Sequence, residues 1–379
     1  MKENTRLIHG YPVVDPITGA SSIPKYQAST FNQKDIFVQQ DYHYTRFGNP
    51  TVSALEIGFA ELHQAQYGFA FSSGMAAIST VLMLLNTKEH VIVPREVYGG
   101  TCQFVKDILP TYGIESSFVD YTNMEEVEAA ITDSTKVLYL ETPSNPLLTI
   151  TDIEKMVGLA KKYNLLTVID NTFMTALYQK PIELGVDIVI ESGTKFLNGH
   201  SDVVAGLVAL NDENLSQKLR TYQKSFGAIL GVEDAWLVLR GMKTMGLRMA
   251  KSCQNAQLIA EELSKHPKVK EVYYPGLSHH PGFEINQKQG RNGGAVLSFD
   301  LGSEESVRLF TQELRLPIIA VSLGGVESIV SYPRTMSHAC LSEEERLLQG
   351  VTPGLLRLSC GIEDSQDLLE DILNALKIL

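Results

Sequence analysis

Lys195 stands in the stretch Asp187-Ile-Val-Ile-Glu-Ser192-Gly-Thr194-Lys195-Phe-Leu-Asn-Gly-His200-Ser-Asp-Val-Val-Ala-Gly-Leu. Ile188, Val189 and Ile190 predict a short buried strand before it, and Val203 to Leu210 predict another after it. Between them Ser192, Gly193 and Thr194 form a polar hinge that offers hydroxyls and backbone N–H groups to an anion beside the amine. Apolar strands on both sides disfavour the charged form of a lysine, and a neutral amine condenses with an aldehyde to give a Schiff base. The structural alternative is a lysine that ends a strand with its head in solvent, as most lysines do.

Other residues carry complementary chemistry. Ser72-Ser73-Gly74-Met75 opens an alanine-rich helix, and the free N–H groups of a helix start hold a phosphate against the helix dipole. In Tyr42-His-Tyr44-Thr-Arg46-Phe-Gly-Asn49-Pro50, Arg46 supplies a fork for phosphate and Tyr44 a donor; the alternative is a surface arginine beside a turn. Tyr98, Asn145 and Asp170 each follow a predicted strand, as Lys195 does. Singly, Tyr98 fits core packing, Asn145 a turn before Pro146 and Asp170 a helix cap. Near the end of the chain, Arg357 sits between Leu356 and Leu358 and needs a partner on a half-buried strand. A substrate carboxylate or a structural Asp or Glu serves equally.

The elements that position these residues alternate: His90 to Val93, a helix near Gly100 to Leu109, Ser117 to Val119, a helix near Met124 to Ile131, Lys136 to Leu140, and Leu166 to Ile169. This rhythm predicts an α/β fold with a mostly parallel, doubly wound sheet, whose strand ends gather the site. Asn49 as N-cap and Pro50 at the first position begin a helix with an apolar stripe of Leu55, Phe59 and Leu62. Residues 1–48, rich in proline and polar groups, predict an irregular arm, 49–240 the large domain and 241–379 a smaller α+β domain, with the boundary near Arg240 and Gly241. The small domain is expected to use strands over Val269 to Tyr274 and Ala295 to Phe299.

The 379 residues carry 32 basic and 44 acidic side chains, a net charge of −12, which argues against an extended nucleic-acid surface. Cys102, Cys253, Cys340 and Cys360 lack metal-ligand spacing and read as free thiols, so no metal is expected. Apolar runs fall short of the roughly 20 residues that span a bilayer, and the amino terminus lacks the apolar core of a signal peptide. A cytoplasmic protein without a membrane partner is the expectation.

Taken together, Ser192-x-Thr194-Lys195-Phe-Leu-x-Gly199-His200-Ser201 resembles the pyridoxal-phosphate attachment site of the Cys/Met-metabolism enzymes, the cystathionine synthase and lyase group. Ala320-Val321-Ser322-Leu323-Gly-Gly-Val-Glu-Ser and Leu356-Arg357-Leu-Ser-Cys-Gly resemble two further family segments, and matches run in order from about residue 5 to 379. The resemblance implies a fold-type-I enzyme with pyridoxal 5′-phosphate on Lys195, usually a homotetramer built as a dimer of dimers with shared active sites. It implies that Tyr98 stacks on the pyridine ring, Asp170 pairs with its protonated nitrogen, and Gly74, Met75, Ser192 and Thr194 surround the cofactor. Tyr44 and Arg46 would then reach a neighbour's phosphate, while Asn145, Ser322 and Arg357 would bind an amino-acid substrate.

Among the family's reactions the expectation is γ-elimination of cystathionine to cysteine, 2-oxobutanoate and ammonia, with homocysteine or cysteine as further substrates. Lys195 would shuttle protons from Cα to Cβ, and Tyr98 would protonate the departing sulfur. Gly100 stands where methionine γ-lyases carry cysteine, Leu323 where one β-lyase branch carries tryptophan, and Val321 where some γ-specific relatives carry glutamate. The rival readings are a cystathionine β-lyase, a cystathionine γ-synthase or O-acylhomoserine thiolyase, and a non-catalytic binding protein that keeps the fold. A Rossmann-type nucleotide enzyme is disfavoured because Ser72-Ser-Gly-Met lacks the glycine fingerprint.

Overall fold

The computed structural model describes residues 1–339 and 341–379. Among the described residues, short β-branched and aliphatic runs become the strands of a seven-stranded sheet: β1 Tyr67–Phe71, β2 His90–Pro94, β3 Glu115–Val119, β4 Thr135–Glu141, β5 Leu166–Asp170, β6 Ile188–Ser192 and β7 Gly206–Leu210. Their order is β1-β7-β6-β5-β4-β2-β3, parallel except for β7, which opposes β1 and β6. β2 and β7 are buried along their whole length, as strands are when both faces of a parallel sheet are covered. The remaining strands, β8 Glu271–Tyr273, β9 Val296–Asp300, β10 Ile318–Ile319, β11 Ile329–Ser331 and β12 Leu355–Ser359, form a second sheet in the order β10-β11-β12-β9-β8. The fold is therefore α/β with a mostly parallel central sheet and a smaller, mainly antiparallel one.

Local chemistry sets the helix starts that matter for the site. Asn49 accepts a hydrogen bond from the Thr51 N–H and Pro50 occupies the first position of helix Pro50–His63, whose Leu55, Phe59 and Leu62 are buried. Ser73 caps helix Gly74–Leu82 by accepting from the Ala76 N–H. Helix Met245–Leu263 spans two cores: Met245, Met249 and Cys253 pack beneath the large sheet with Leu55 and Phe59, and Ala256, Ile259, Ala260 and Leu263 pack against the small one. Those positions recur at three and four residues, so one face serves both cores. We propose the break between helices Val232–Met242 and Met245–Leu263 as the division between the parts predicted as 49–240 and 241–379.

Three expectations need correction. The amino-terminal segment is not wholly irregular: Glu3–His9 is a helix whose Leu7 joins the large core, and Glu3 pairs with Arg291 at 2.7 Å and Lys180 at 2.9 Å. The helix expected to Leu109 keeps α geometry only over Gly99–Gln103, then widens over Phe104–Ile108 and tightens over Leu109–Tyr112. Pro110 has no N–H to continue the ladder and its ring excludes a regular turn before it. The strand expected from Val203 starts only at Gly206, where a Cβ would lie 2.2 Å from the Ser73 carbonyl oxygen. Of the cysteines, Cys253 and Cys360 are buried free thiols, Cys102 is buried, and Cys340 lies outside the described residues. Among the described residues no helix is long and apolar enough to cross a membrane.

Candidate active site

The parallel strands deliver their last residues to one edge. β4 ends at Glu141, β5 at Asp170 and β6 at Ser192, with Glu141 opposite Asp170 and Asp170 opposite Ile190 in register. Above this edge lies a cavity of about 720 Å³, lined by Gly74, Met75, Tyr98, Asn145, Asp170, Ser192, Thr194, Lys195, Ser322 and Arg357. The structure thus brings together every site residue expected from the sequence except Tyr44 and Arg46. Those two lie elsewhere on this chain, where Arg46 donates to the Lys224 carbonyl at 2.8 Å and stacks on Phe47 at 4.8 Å.

Lys195 Nζ donates to Ser322 Oγ at 2.6 Å. Burial pushes its pKa down to about 8, the charge of Arg357 adds to that, and Asp170 opposes it. The amine is therefore a usable base near neutral pH. Asp170 moves the other way: burial lifts its carboxyl above the ordinary range, although Oδ1 accepts from the Thr172 N–H at 3.0 Å and hydroxyl at 2.5 Å. Glu141 is lifted further, first by burial and then by the charge of Asp170, against the Tyr98 N–H that donates to it at 2.9 Å. A cation placed against Asp170 would relieve its burial cost, which is what a protonated pyridine nitrogen provides.

The lining around Gly74 and Ser192 suits a phosphate. Ser73 satisfies only the Ala76 N–H of helix Gly74–Leu82, so the N–H groups of Gly74 and Met75 have no partner within the helix. A Cβ on Gly74 would come within 3.2 Å of Ser192 Oγ, so glycine keeps that approach open. The Thr194 hydroxyl accepts from the Ala205 N–H at 2.9 Å and donates to the Ala205 carbonyl at 3.2 Å, which braces the turn before Lys195. Tyr98 ends the loop into helix Gly99–Gln103, and its ring lies so close to Gly100 that a Cβ there would sit 2.6 Å from Cε1.

Arg357 stands on β12 and is almost wholly buried. Its Nη1 donates to Asn145 Oδ1 at 2.9 Å, and its Nη2 to the Ser322 carbonyl at 2.6 Å and Ser331 Oγ at 3.1 Å. Nε has no partner among the described residues, and burial lowers the guanidinium pKa to about 10. Its partners are neutral dipoles, so a substrate carboxylate would supply the charge compensation that the chain's own contacts to it leave out.

Sequence reasoning missed three contributors. Glu141 ends a strand as Asp170 does, and that placement was the available signal. Thr172 ties two strands, since its hydroxyl accepts from the Ser192 N–H at 2.9 Å while donating to Asp170. Gly324, at φ +82°, packs directly on the lysine's backbone, with a Cβ position 2.7 Å from the Phe196 nitrogen. A glycine pair after Ser322 was visible, but its contact with residue 196 was not.

A family model described as Cys/Met metabolism PLP-dependent enzyme matches residues 4–377. The chain is 53% identical to cystathionine beta-lyase MetC of Bacillus subtilis (strain 168), over 98% of this chain and 96% of that protein. It is 50% identical to cystathionine gamma-lyase of the same organism, over the full length of both. Among solved structures, cystathionine gamma-lyase from Lactobacillus plantarum complexed with L-serine superposes with a TM-score of 0.96 at 44% identity, covering 100% of this chain and 99% of that one.

Proposed function

The chain belongs to the Cys/Met-metabolism PLP-dependent enzymes, and from that premise we propose that it cleaves cystathionine on its γ side, releasing cysteine, 2-oxobutanoate and ammonia. It is a lyase that takes pyridoxal 5′-phosphate. When bound, that cofactor supplies the electron sink for negative charge at the substrate Cα. Asp170 would keep its ring nitrogen protonated, Gly74, Met75 and Ser192 would hold its phosphate, and Thr194 would fix the turn that carries the lysine. Arg357 and Asn145 would bind the substrate carboxylate. In a homotetramer of dimers, Tyr44 and Arg46 would complete the neighbour's phosphate site, and a cytoplasmic setting belongs to the same reading.

The observation that carries the proposal is the placement of Lys195 Nζ, held by one hydroxyl at 2.6 Å and depressed to a pKa of about 8. β-Elimination needs one proton removed from Cα. γ-Elimination needs a second removed from Cβ before the Cγ–S bond breaks, so its base must serve two carbons. A long side chain tethered only at its tip, with its pKa lowered toward neutrality by burial, can do both, and Tyr98 at the cavity can return a proton to sulfur. Val321, 64% exposed beside Ser322, offers no charge to the distal amino group of cystathionine, which favours a broad lyase that also takes homocysteine or cysteine.

The 53% identity to a protein named cystathionine beta-lyase supports a second reading, cleavage on the β side. Product analysis separates the two. From cystathionine, the γ reading predicts cysteine and 2-oxobutanoate in excess; homocysteine and pyruvate in excess would replace it with the β reading.

A further inference from the structure

Arg248 lies in helix Met245–Leu263, on the same buried face as Met245, Met249 and Ser252, and is 7% exposed. A guanidinium there is expensive unless its donors are matched. They are matched almost entirely by backbone carbonyls: Nη1 donates to Phe196 O at 2.8 Å, and Nη2 to Leu197 O at 3.1 Å and Gly241 O at 2.8 Å. Nε donates to Thr244 Oγ1 at 3.2 Å. None of these acceptors is a carboxylate.

The carbonyls of Phe196 and Leu197 are those that immediately follow Lys195. The turn Gly193–Leu197 ends there, and the last carbonyls of any helical turn lack partners of their own. The Lys195 carbonyl accepts from the Gly199 N–H at 2.8 Å, and Arg248 takes the next two, so three successive acceptors are satisfied in a fixed fan. The surroundings leave room for little else. Gly199, at φ +74°, has a Cβ position 1.8 Å from Arg248 Nη1, and a Cβ on Gly241 would lie 2.3 Å from the Asn198 carbonyl oxygen. On the other side Gly324 rests on the backbone of Lys195 and Phe196.

We propose that Arg248 is a positioning residue for the proton-transferring lysine: by gripping the Phe196 and Leu197 carbonyls it fixes the backbone from which Lys195 reaches Ser322 and the substrate. The inference rests on the reading of Lys195 as the mobile base. Lysine in place of Arg248 keeps the charge but loses the fork that meets several carbonyls at once. A neutral methionine of similar length leaves the acceptors unpaired. Displacing the lysine backbone by a fraction of an ångström to one ångström acts on kcat more than on substrate capture, because Arg357 and Asn145 stay in place.

The test compares Arg248→Met and Arg248→Lys holoenzymes, matched for bound cofactor by absorbance, with wild type and Lys195→Ala. The charged groups facing Lys195 are Arg357 and Asp170, and both are untouched by these variants. Arg248→Met should lose kcat by about 100-fold with KM nearly unchanged. The acid limb of its kcat–pH profile should move to higher pH, because looser packing around the turn lets water reach the amine and weakens the burial that holds its pKa below the ordinary lysine value, and Arg248→Lys should recover part of both effects. Gly199→Ala pushes on the same guanidinium and should give the same shift if Arg248→Met does not fold. A normal kcat in a folded Arg248→Met or Gly199→Ala enzyme, or a loss of kcat with no movement of the acid limb, overturns the proposal. Retained activity in Lys195→Ala would instead overturn the reading on which it rests.

Discussion

Ser322 Oγ accepts a hydrogen bond from Lys195 Nζ at 2.6 Å across 127 positions of sequence. The carbonyl of the same serine accepts from Arg357 Nη2 at 2.6 Å, so one residue, held at φ +87°, joins the Lys195 amine to the Arg357 guanidinium, both of which line the cavity. Non-glycine residues keep such a backbone only where their surroundings impose it, and they gather at functional sites.

Removing the hydroxyl should loosen the amine without removing the cation. Ser322→Ala should lower kcat/KM by about 10-fold, within the range of losses that follow from small misplacements of a reacting group. Ser322→Gly removes the hydroxyl and the left-handed strain together, so a similar loss in both variants assigns the effect to the hydrogen bond. Wild-type kinetics in both would remove the tether from the account.

Asp170 makes a prediction that links pH to stability. Its carboxyl titrates above the ordinary value of 3.8 because burial disfavours the anion. The folded state therefore holds this proton more tightly than the unfolded chain. In cofactor-free protein, the stability it contributes is fully present below about pH 4 and is lost as pH rises through the folded value. Asn does not titrate, so the Tm of cofactor-free Asp170→Asn should rise relative to wild type between pH 4 and 7. With cofactor bound, the same variant should lose kcat on the order of 100-fold, as when one preorganised electrostatic stabiliser is removed. Near-normal turnover, or a Tm difference independent of pH, would contradict the assignment.

Tyr44 and Arg46 lie off this chain's cavity, which fits a role in a neighbour's site. Arg46→Ala and Lys195→Ala enzymes should each be nearly inactive. Refolded together in equal amounts, random pairing of a two-fold dimer should restore about a quarter of the sites, those that combine an intact Lys195 with an intact Arg46 from the other chain. No recovered activity in verified hybrids would count against a shared site.

How far the sequence reached follows from the range of each interaction. The Asn49–Pro50 helix start, the helix opening at Ser73-Gly74 and the strand end at Asp170 depend on neighbours a few residues away, and the residue types alone located them; the strand before Lys195 runs on to Ser192, two residues past its apolar run. The meeting of Arg357 with Asn145, 212 positions apart, could be expected only through resemblance, because β12 and the loop after β4 belong to different sheets. Arg248 was invisible for a related reason. Its acceptors are carbonyls, which every residue carries, so no side-chain pattern marks them, and the one clue was an arginine on an apolar helical stripe. The helix at Glu3–His9 escaped notice because its stability comes from Leu7 in a distant core rather than from a cap.

The central claim is that Lys195 removes protons from both Cα and Cβ, and hydrogen exchange measures this without cleavage. L-2-Aminobutyrate has hydrogens on both carbons and no leaving group. Incubated with the holoenzyme in D2O and followed by proton NMR, it should exchange at Cα and at Cβ, and with Lys195→Ala it should exchange at neither. Exchange confined to Cα in the wild-type enzyme, or exchange that persists in Lys195→Ala, would contradict the account.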